Sequence, residues 1–509
     1  MGGVAPGSID TAKWDNTVAA ANITVLGVDT SWAEIQIVSP GGLVTINAGN
    51  TLTLGGNAPA IDMSAATQDL TLNCALALGA ANIWDVATTR ILTLGGAVSG
   101  SFNVTKQGAG TAILSAANSY TGINAINGGT LTLSGSGTLG NTANNLTLSG
   151  GQLDLGASSQ TAGAVSLTAA AASGDTIKNG SLTGTSYAAS STTGTAIISA
   201  SLLANGAAGF AKSGAGSVTL SGNNTYTGAT AINVGTLNIQ NVNALGTTAG
   251  NTTVANGATL QLQGGFSFAA EPLSLASGSS ATVILQNVSG DHIWNGTIGT
   301  SGSGATARIA SDSGTLTLAD TVTGNSASTQ VVLQGDGNVL VSGKITGSSP
   351  VTAGATGTGT RTLSNTANDF TGKVTATGGK LSFTSIKNVG GGASALGAPA
   401  DATAGTIAVG SLAIAGNLTY TGSGDNSDRV LNLLGTIGGA TIDQSGASGL
   451  LKFTSALTAT GAGSKTLTLQ GSTAGTGEIG GAIVDNSGVN TTALTKTGSG
   501  TWTLSGVNT

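Results

Sequence analysis

The feature that most constrains the fold of this chain is an internal repeat that aligns without gaps. Residues 106–133 read KQGAGTAILSAANSYTGINAINGGTLTL, and residues 212–239 read KSGAGSVTLSGNNTYTGATAINVGTLNI. A looser third copy spans about Gly359–Phe383, and a fourth begins at Lys496 as KTGSGTWTLSGVNT and reaches Thr509. Internal repeats of this kind are typical of solenoids, in which each unit buries its apolar face only against its neighbours. Positions of the first copy that are identical in the second include Lys106, Gly108, Gly110, Leu114, Ser115, Asn118, Tyr120, Thr121, Gly122, Ile126, Asn127, Gly129, Thr130 and Leu131.

The repeat also shows how its strands face the interior. In Thr130–Leu133 (TLTL) apolar and polar residues alternate, which is typical of a strand with one buried face. Triplets of the form Leu-Thr-Leu begin at residues 52, 70, 92, 131 and 146, and Ile113–Leu114 lies near the middle of the longest interval. A spacing of about 20 residues fits one turn of a β-solenoid. We therefore predict an all-β chain of stacked short strands, with leucines inside and threonines outside.

The composition supports a thin, weakly charged stack. Charged residues make up 7% of the chain, against about 25% in ordinary soluble domains. Gly contributes 84 of the 509 residues and aromatics only 3%, whereas the hydrophobic fraction of 39% suffices for a core of small side chains. Fifteen Lys and Arg residues are too few for the basic surface that phosphate neutralisation requires. Nucleic acid is therefore excluded as a partner, and no apolar run is long enough for a membrane helix.

Glycine and asparagine mark the corners between strands. We expect Gly122 and Gly128–Gly129 where the chain turns sharply, because Gly adopts positive φ at little cost. Asn118 and Asn127 tolerate left-handed backbone and are expected at corners too.

Three further side chains are expected to pack rather than to react. Tyr120 and Tyr226 should cap a corner or lie in the core, with the hydroxyl reaching solvent. Cys74 is the only cysteine, so an intrachain disulfide is impossible and burial as a small apolar residue is expected.

The repeated motif resembles the autotransporter-associated β-strand repeat of bacterial passenger regions. The resemblance is carried by K-x-G-x-G-x-x-x-L-S-x-x-N-x-Y-T-G, by the following G-T-L-x-L/I, and by Leu139-Gly140 and Leu245-Gly246 downstream. It implies a secreted, right-handed parallel β-helix displayed at a bacterial cell surface, without catalytic residues to transfer. With strands stacked about 4.8 Å apart, we predict an elongated β-solenoid of roughly 20–25 turns. The expected function is a non-enzymatic extracellular stalk or adhesive passenger without cofactors.

Two alternatives to this function stay open. The first is a self-assembling extracellular filament. The second is a polysaccharide-acting enzyme, which needs two positioned carboxylates. Asp425 and Asp428, next to Arg429, are the acids best spaced for this role or for weak cation binding, although a solvated loop tip is favoured. Asp336, in Gly-Asp-Gly-Asn, indicates a turn.

Other catalytic constellations find little support in the sequence. His292 is the only histidine, which excludes a multi-histidine zinc site, and the residues around it favour a strand entry over a catalytic triad. A Cys74/His292 pair has no supporting motif. The segment 461–466 (GAGSKT) departs from the phosphate-loop pattern at Ser464 and lacks the strand-loop-helix context. We therefore expect no catalytic, cofactor or metal residues.

Composition does not separate the chain into different domains. We divide the solenoid by its repeats into residues 1–104, residues 105–347 with two full copies, and residues 348–509 with the third and fourth. Between Leu155 and Lys212 the alternation weakens, which indicates either a loop excursion or turns of small residues. Ser348–Thr360, around Pro350, is the best candidate for a local break.

The ends of the chain raise one further expectation. The sequence ends at Thr509, inside the fourth repeat, and its first residues do not show the pattern expected of an export signal. Unpaired strand edges there would be completed either by a longer parent protein or by the Trp14–Val28 segment of another copy, head to tail. The expected partners are therefore another copy of the chain, through this contact, or surface glycans, through the expected adhesive function.

Overall fold

The computed structural model describes residues 6–56, 58–169, 174–278, 281–302, 306–354, 356–435, 439–471 and 474–508. Within this part of the chain the regular secondary structure is almost entirely β-strand, and the only α-helix is the four-residue Ala402–Gly405. No helix among these residues is both long and apolar enough to span a bilayer. The chain divides into two compact units, Met1–Gly250 and Asn251–Thr509. Each is described by itself.

Unit 1 consists of three sheets whose strands are visited in rotation as the chain winds. Sheet 1A contains Thr11–Trp14, Glu34–Ile37, Ile61–Met63, Asn82–Val86, Val104–Gln107, Asn124–Ile126, Leu146–Leu148, Ala164–Leu167, Ser186–Ala189, Phe210–Lys212 and Thr230–Ile232. Sheet 1B contains Asn22–Val25, Val44–Asn47, Leu70–Leu72, Ile91–Leu94, Thr111–Leu114, Thr130–Leu133, Gln152–Thr161, Thr176–Gly184, Thr195–Ile198, Ser201–Ala204, Ser217–Leu220 and Thr236–Ile239. Sheet 1C contains Thr30–Trp32, Leu52–Leu54, Leu76–Leu78 and Val98–Gly100.

Unit 2 is built in the same way from four sheets. Sheet 2A contains Thr252–Val254, Leu273–Ala276, Ile298–Ser301, Val322–Gly324 and Ile345–Gly347. Sheet 2B contains Thr259–Gln263, Leu285–Ser289, Thr306–Ser311, Gln330–Gln334, Val351–Ala353, Val374–Ala376, Ile407–Leu412, Leu431–Gly435 and Thr458–Ala459. Sheet 2C contains Ser267–Phe268, His292–Trp294, Thr315–Leu318, Asn338–Val341, Thr360–Leu363, Lys380–Phe383, Gly416–Tyr420, Ala440–Gln444, Lys465–Gln470 and Thr492–Lys496. Sheet 2D contains Asp425–Ser427, Leu450–Phe453, Thr476–Ile479 and Thr501–Leu504.

The strands of neighbouring turns pair in parallel and in register. Leu70 lies beside Leu92, and Leu131 lies beside Leu153, in each case one turn of 22 residues later along the chain. The strand Thr111–Leu114 fills the long interval between Leu92 and Leu131, as expected from Ile113–Leu114. The units together hold about 21 turns. The predicted parallel β-solenoid of 20–25 turns is therefore confirmed.

The predicted facing of the side chains is also confirmed. In Thr130–Leu133 the two leucines are buried and the two threonines are partly exposed. Each buried leucine stacks on an apolar residue of the adjacent turn, because in-register parallel strands place equivalent side chains above one another. Isolated turns could not bury these leucines, and the core therefore exists only as a stack.

Two local expectations have different outcomes. The Leu155–Lys212 segment forms turns of small residues, since the strands Gln152–Thr161 and Thr176–Gly184 pair with each other in parallel. The break expected at Ser348–Thr360 is wrong, because Val351–Ala353 pairs with strands on both sides. Pro350 is compatible with this pairing because it lies just before the strand, where its missing N–H is not needed. Its carbonyl oxygen accepts a hydrogen bond from Val331 N at 2.9 Å.

The larger interruption comes after the third repeat. Thr384–Thr406 connects Lys380–Phe383 to Ile407–Leu412 and carries the helix Ala402–Gly405. It is 23 residues long, whereas the corresponding connection after the first repeat, Ser134–Asn145, has 12. We call Thr384–Thr406 the excursion. The division of the chain at residues 104 and 347 stays a prediction.

Candidate functional site

Each of the two full repeats joins four strands through two kinds of corner. In the first repeat, Lys106 ends a strand of sheet 1A and the following glycine-rich turn leads into Thr111–Leu114. We call Lys106–Gly110 and its counterparts the lysine corner. After Thr111–Leu114 comes a segment with Asn118 and Tyr120, and we call Asn118–Gly122 and its counterparts the asparagine–tyrosine corner. The repeated residues outside the strands are concentrated at these two places.

The lysine corner buries a cation without a carboxylate contact. Lys106 is fully buried, and its Nζ donates to the carbonyl oxygens of Gln107 at 2.6 Å and Gly108 at 2.9 Å. A third bond, of 3.2 Å, reaches the carbonyl of Gly128 in the next turn. Burial lowers the pKa of Lys106 to about 8, and the Asp85 carboxylate acts in the opposite direction. The ammonium group thus satisfies carbonyl groups that two glycine-rich turns leave without backbone partners.

The second repeat reproduces this arrangement. Lys212 is fully buried, and its Nζ donates to the carbonyl oxygens of Gly214 and, at 3.1 Å, Val234. Burial lowers the pKa of Lys212, too, to about 8. In the fourth repeat, Nζ of Lys496 donates to Thr497 O at 2.7 Å and Gly498 O at 2.8 Å.

In the third repeat the cation is an arginine in the strand that follows the corner, whereas the lysine of the first two repeats lies in the strand that precedes it. Alignment of Leu363 with Leu114 places Arg361 where the first repeat has Ala112. Its guanidinium is fully buried; Nη2 donates to Gly335 O at 2.7 Å and Thr356 O at 2.9 Å, and Nη1 donates to Gly359 O. A buried cation at this corner is thus common to the first three repeats, although the residue that supplies it changes, whereas Lys496 of the fourth repeat is exposed.

Glycine is required at the bends of the repeat for two reasons. Gly129 has φ of 60°, and a Cβ added there would lie 2.1 Å from Gly110 O. Gly235 has φ of 75°, and a Cβ added there would lie 2.5 Å from Gly214 O and from Gly216 O. Gly122 does not have positive φ; a Cβ there would lie 2.1 Å from Phe102 O. The expected requirement for glycine is confirmed at Gly129 and at Gly122, where its cause is the close approach of the adjacent turn, but Gly128 does not have positive φ.

The asparagine side chain of the second corner connects three successive turns. Oδ1 of Asn118 accepts a hydrogen bond from Val98 N at 2.8 Å, and its Nδ2 donates to Thr138 O at 2.7 Å. The other repeats form equivalent bonds: Asn224 with Leu202 N at 2.9 Å and Ala244 O at 2.7 Å, Asn368 with Ile345 N at 2.7 Å and Ala395 O at 3.0 Å, and Asn508 with Ile483 N at 2.9 Å. Asn118 and Asn127 lie at corners as predicted, but neither has the left-handed backbone that was expected.

The tyrosines of this corner are in the core, but the expectation that their hydroxyls reach solvent is wrong. Tyr120 is fully buried and donates to Asn124 Oδ1 at 2.5 Å, while the hydroxyl of Tyr226 lies 2.8 Å from Thr230 Oγ1. In the third repeat Phe370 occupies this position, and the residue four positions later is the apolar Val374. The ring fills the corner in each repeat, and a polar partner is present only where a hydroxyl needs one.

The single histidine has a structural role. His292 begins the strand His292–Trp294 as predicted and is buried; its Nε2 accepts from Gly265 N at 3.1 Å, and its Nδ1 lies 2.8 Å from Asn287 Oδ1. Since Nε2 is an acceptor, Nδ1 carries the proton and the ring is neutral. Burial lowers the pKa of His292 further, so the ring has no free nitrogen for a triad.

The acids considered for glycan chemistry form a clamp on the excursion, and the loop-tip interpretation is wrong. Asp425 lies in the strand Asp425–Ser427, and its Oδ2 accepts from Ile386 N at 3.1 Å. Oδ1 of Asp428 accepts from Val389 N at 2.8 Å. We call Asp425–Arg429 the clamp.

Arg429 completes the clamp from inside. It is fully buried, its Nε donates to Gly405 O and its Nη1 to Leu396 O, both at 2.7 Å. Burial lowers the pKa of Arg429 to about 10. The carboxylates hold the first part of the excursion by its N–H groups, and the guanidinium holds the later part by its carbonyls.

The remaining candidates are also engaged in structure. Cys74 is buried as expected, and Oδ1 of Asp336 accepts from Thr358 N of the next turn at 3.0 Å, within the predicted bend. Lys465, in the segment that resembles a phosphate loop, donates to Gly435 O at 2.6 Å and Ala462 O at 3.0 Å. In the described part of the chain, no three His, Cys, Asp or Glu side chains form a group suited to a metal ion.

Comparison with known proteins identifies the repeat. The model of the passenger-associated-transport-repeat matches residues 104–133, 210–239, 355–383 and 494–509. An adhesin, the BmaC autotransporter of Brucella suis biovar 1 (strain 1330), is 32% identical over 304 residues. This alignment covers 58% of the chain but only 7% of the adhesin. No solved structure matches the chain.

The four matched segments coincide with the copies found in the sequence. They also coincide with the corners at which Lys106 and Asn118, or their counterparts, bond between turns. The chain therefore contains four copies of the passenger-associated-transport-repeat and is similar over 304 residues to an autotransporter adhesin.

Proposed function

We propose that this chain is a surface-displayed adhesive segment of a bacterial passenger protein, located outside the cell. The observation that carries the proposal is the combination of four passenger repeats with similarity to a protein named as an autotransporter adhesin. Since the chain spans only 7% of that relative, the adhesive activity of the relative is proposed, not transferred, for this chain.

The distribution of polar groups supports a binding and display role. The buried polar side chains of the repeats, such as Lys106, Asn118 and Tyr120, bond within the stack. The outward positions of the strands carry mainly Thr, Ser and other uncharged residues, and the chain has only 36 charged side chains, 15 basic and 21 acidic. Such a surface presents many hydroxyl groups to a partner over a long series of turns.

Adhesion can be measured directly with the purified chain. Beads coated with it should adhere to cultured mammalian cells more than beads coated with a Leu237→Asp variant, whose core is disrupted. Leu237 is fully buried, and this control has nearly the same composition and charge. Equal adhesion of the two bead types would reject the proposal.

We infer further that the chain acts without catalysis. Asp425 and Asp428, the acids considered for glycan chemistry, bind the excursion, and the single histidine is bonded through both ring nitrogens. Incubation with a panel of polysaccharides should yield no new reducing ends. Reproducible turnover by the wild type would contradict the inference, and its persistence in the D425N/D428N variant and in His292→Gln would place the active centre elsewhere.

A further inference from the structure

The excursion is a built feature of unit 2. Its backbone is fixed at Ile386, Val389, Leu396 and Gly405 by the clamp, and these bonds use two carboxylates and a fully buried guanidinium. Burying a charged group costs free energy unless its hydrogen bonds are satisfied. A connection half as long suffices after the first repeat, so closing the turn does not require the extra residues.

The excursion forms one wall of a groove. The helix Ala402–Gly405, whose first turn is capped by Asp401 Oδ1 bonding Ala404 N at 2.9 Å, faces the segments 348–350 and 371–373. The groove is open to solvent and has a volume of about 600 Å³. Small-molecule sites have volumes of roughly 300–1,000 Å³, and functional residues in proteins are often on loops held by a rigid scaffold.

The lining defines the chemistry of a ligand. Hydroxyl groups come from Ser348, Thr371 and Thr403, and the groove also has one cation, Lys373, and one anion, Asp401. Its apolar lining consists of Pro350 and alanines. The lining therefore offers no deep apolar pocket for the large anchor side chains that dominate protein interfaces. The balanced charge gives no preference for a phosphate-rich or highly acidic ligand.

We propose that this groove binds a short segment of a neutral oligosaccharide at a target surface. Sugar hydroxyls both donate and accept hydrogen bonds, as do the threonine and serine hydroxyls of the groove. Lys373 adds a charged donor and Asp401 a charged acceptor, which form stronger bonds with neutral partners than uncharged groups do. The proposal rests on the adhesive function proposed above and assigns that function to one site.

The binding test uses the full chain and four named probes. N-acetyllactosamine, mannotriose, triacetylchitotriose and the acidic 3′-sialyllactose would be titrated by calorimetry. Thr371→Trp fills the groove, and Lys373→Ala removes its cation. Thr366→Trp is the matched control, since Thr366 is exposed and does not line the groove.

At least one neutral probe should bind the wild type and the Thr366→Trp variant alike. Thr371→Trp should weaken that binding at least about tenfold, and Lys373→Ala should weaken it too, with the melting temperatures unchanged. If Thr371→Trp does not fold, Asp401→Asn, which keeps the helix cap, replaces it and should also weaken binding. Binding of none of the neutral probes, or equal binding by the groove and control variants, would overturn the proposal.

Bead adhesion separates this proposal from the proposed function. If wild-type and Thr371→Trp beads adhere to cells equally, the chain is adhesive but the groove is not its site. If periodate oxidation of cell-surface glycans leaves adhesion intact, the partner is a protein and the glycan assignment is overturned. If a neutral probe binds in the groove but wild-type beads do not adhere, the groove is confirmed and the adhesive function is rejected.

Discussion

At the scale of single residues, polar side chains inside the repeats connect turns that are distant in sequence. Asn118 bonds to Val98 in the preceding turn and to Thr138 in the following one. A buried hydrogen-bonding group without a partner costs about 1–3 kcal/mol. These side chains therefore favour one register of stacking, because a shift of one residue would separate the pairs.

The asparagine–tyrosine corner allows a test in which the third repeat of the same protein provides the control pair of residues. Tyr120→Phe should destabilise unit 1 by about 1–3 kcal/mol, because Asn124 Oδ1 loses its 2.5 Å partner. Adding Asn124→Val recreates the Phe370–Val374 pair of the third repeat and should recover part of the loss. Guanidinium unfolding midpoints would measure both effects. A double variant less stable than Tyr120→Phe would show that the hydroxyl bond does not explain the pairing.

The buried lysines predict a dependence of stability on alkaline pH. Burial lowers the pKa of Lys106 and Lys212 to about 8 in the folded chain, whereas lysine in an unfolded chain has a pKa of about 10.4. Below pH 8 both states are protonated. Between about pH 8 and 10 the unfolded state binds more protons, so the lysine contribution to stability rises with pH.

The comparison needed is with a Lys106→Met/Lys212→Met variant. The melting temperature of the wild type minus that of the variant should increase from pH 7.5 to pH 9.5. Tyrosines do not confound the comparison, since burial raises the pKa of Tyr187 to about 12 and both proteins contain it. A difference that is constant, or that falls with pH, would show that the lysines are not desolvated as described.

At the scale of strands, the alternation of leucine and threonine determines which face is buried. Leu131 is 1% exposed, whereas Thr132 is at an outward position of the same strand. Leu131→Asp would bury an unpaired charge and should lower the melting temperature by far more than Thr132→Asp, which stays in water. Thermal unfolding followed by circular dichroism would measure both changes. Similar shifts for the two variants would mean that the strand faces the other way.

The alternation was visible in the sequence because it is local. The strands of the first two repeats, their buried leucines and their outward threonines all follow from side chains that alternate along a strand. The interior bonds of Lys106 and Tyr120 were not predicted, because the alternation along a strand says nothing about how the chain bends at a corner and brings Asn124 to Tyr120 or Gly128 to Lys106. The only signal was that these residues recur at Lys212 and Tyr226, and the change from Tyr120 and Asn124 to Phe370 and Val374 could have indicated a buried pair.

The clamp shows the same limit for acidic residues. Asp425 and Asp428 are close in sequence to glycine and asparagine, which favoured a solvated loop. Their actual partners, Ile386 and Val389, lie 39 residues earlier. The residues next to Asp425 and Asp428 in the sequence therefore led to a wrong prediction. The position of the two carboxylates is explained by their hydrogen bonds to the excursion.

At the scale of the whole molecule, both units follow one construction rule. Short strands pair in parallel, corner side chains bond across turns, and the core of each unit is a column of apolar residues. The rule was predictable because the leucine triplets recur at intervals of about one turn and because the first two copies of the repeat align without gaps. The groove beside the excursion was not predictable, since the excursion departs from that spacing and its shape depends on the clamp.

The most direct test of the stacked turns is cross-linking between residues that the register places side by side. In unit 1 Thr93 pairs with Ile113, and in unit 2 Thr317 pairs with Leu340. Strand neighbours are about 4.8 Å apart, within the Cα separation of roughly 4.4–6.8 Å that disulfides require. Cysteines at each pair should form disulfides on mild oxidation of the folded chain, as detected by mass spectrometry of peptides.

The control pairs are two turns apart. Thr93 with Thr132, and Thr317 with Thr362, face the same side of their sheets at about 9.6 Å, because Ile113 and Leu340 lie between them. Cys74 is buried and would be replaced by Ala throughout. Rapid disulfide formation in the adjacent pairs and none in the control pairs is the expected result. Equal yields for adjacent and control pairs, or disulfides only in the control pairs, would contradict the stacking of turns in this register.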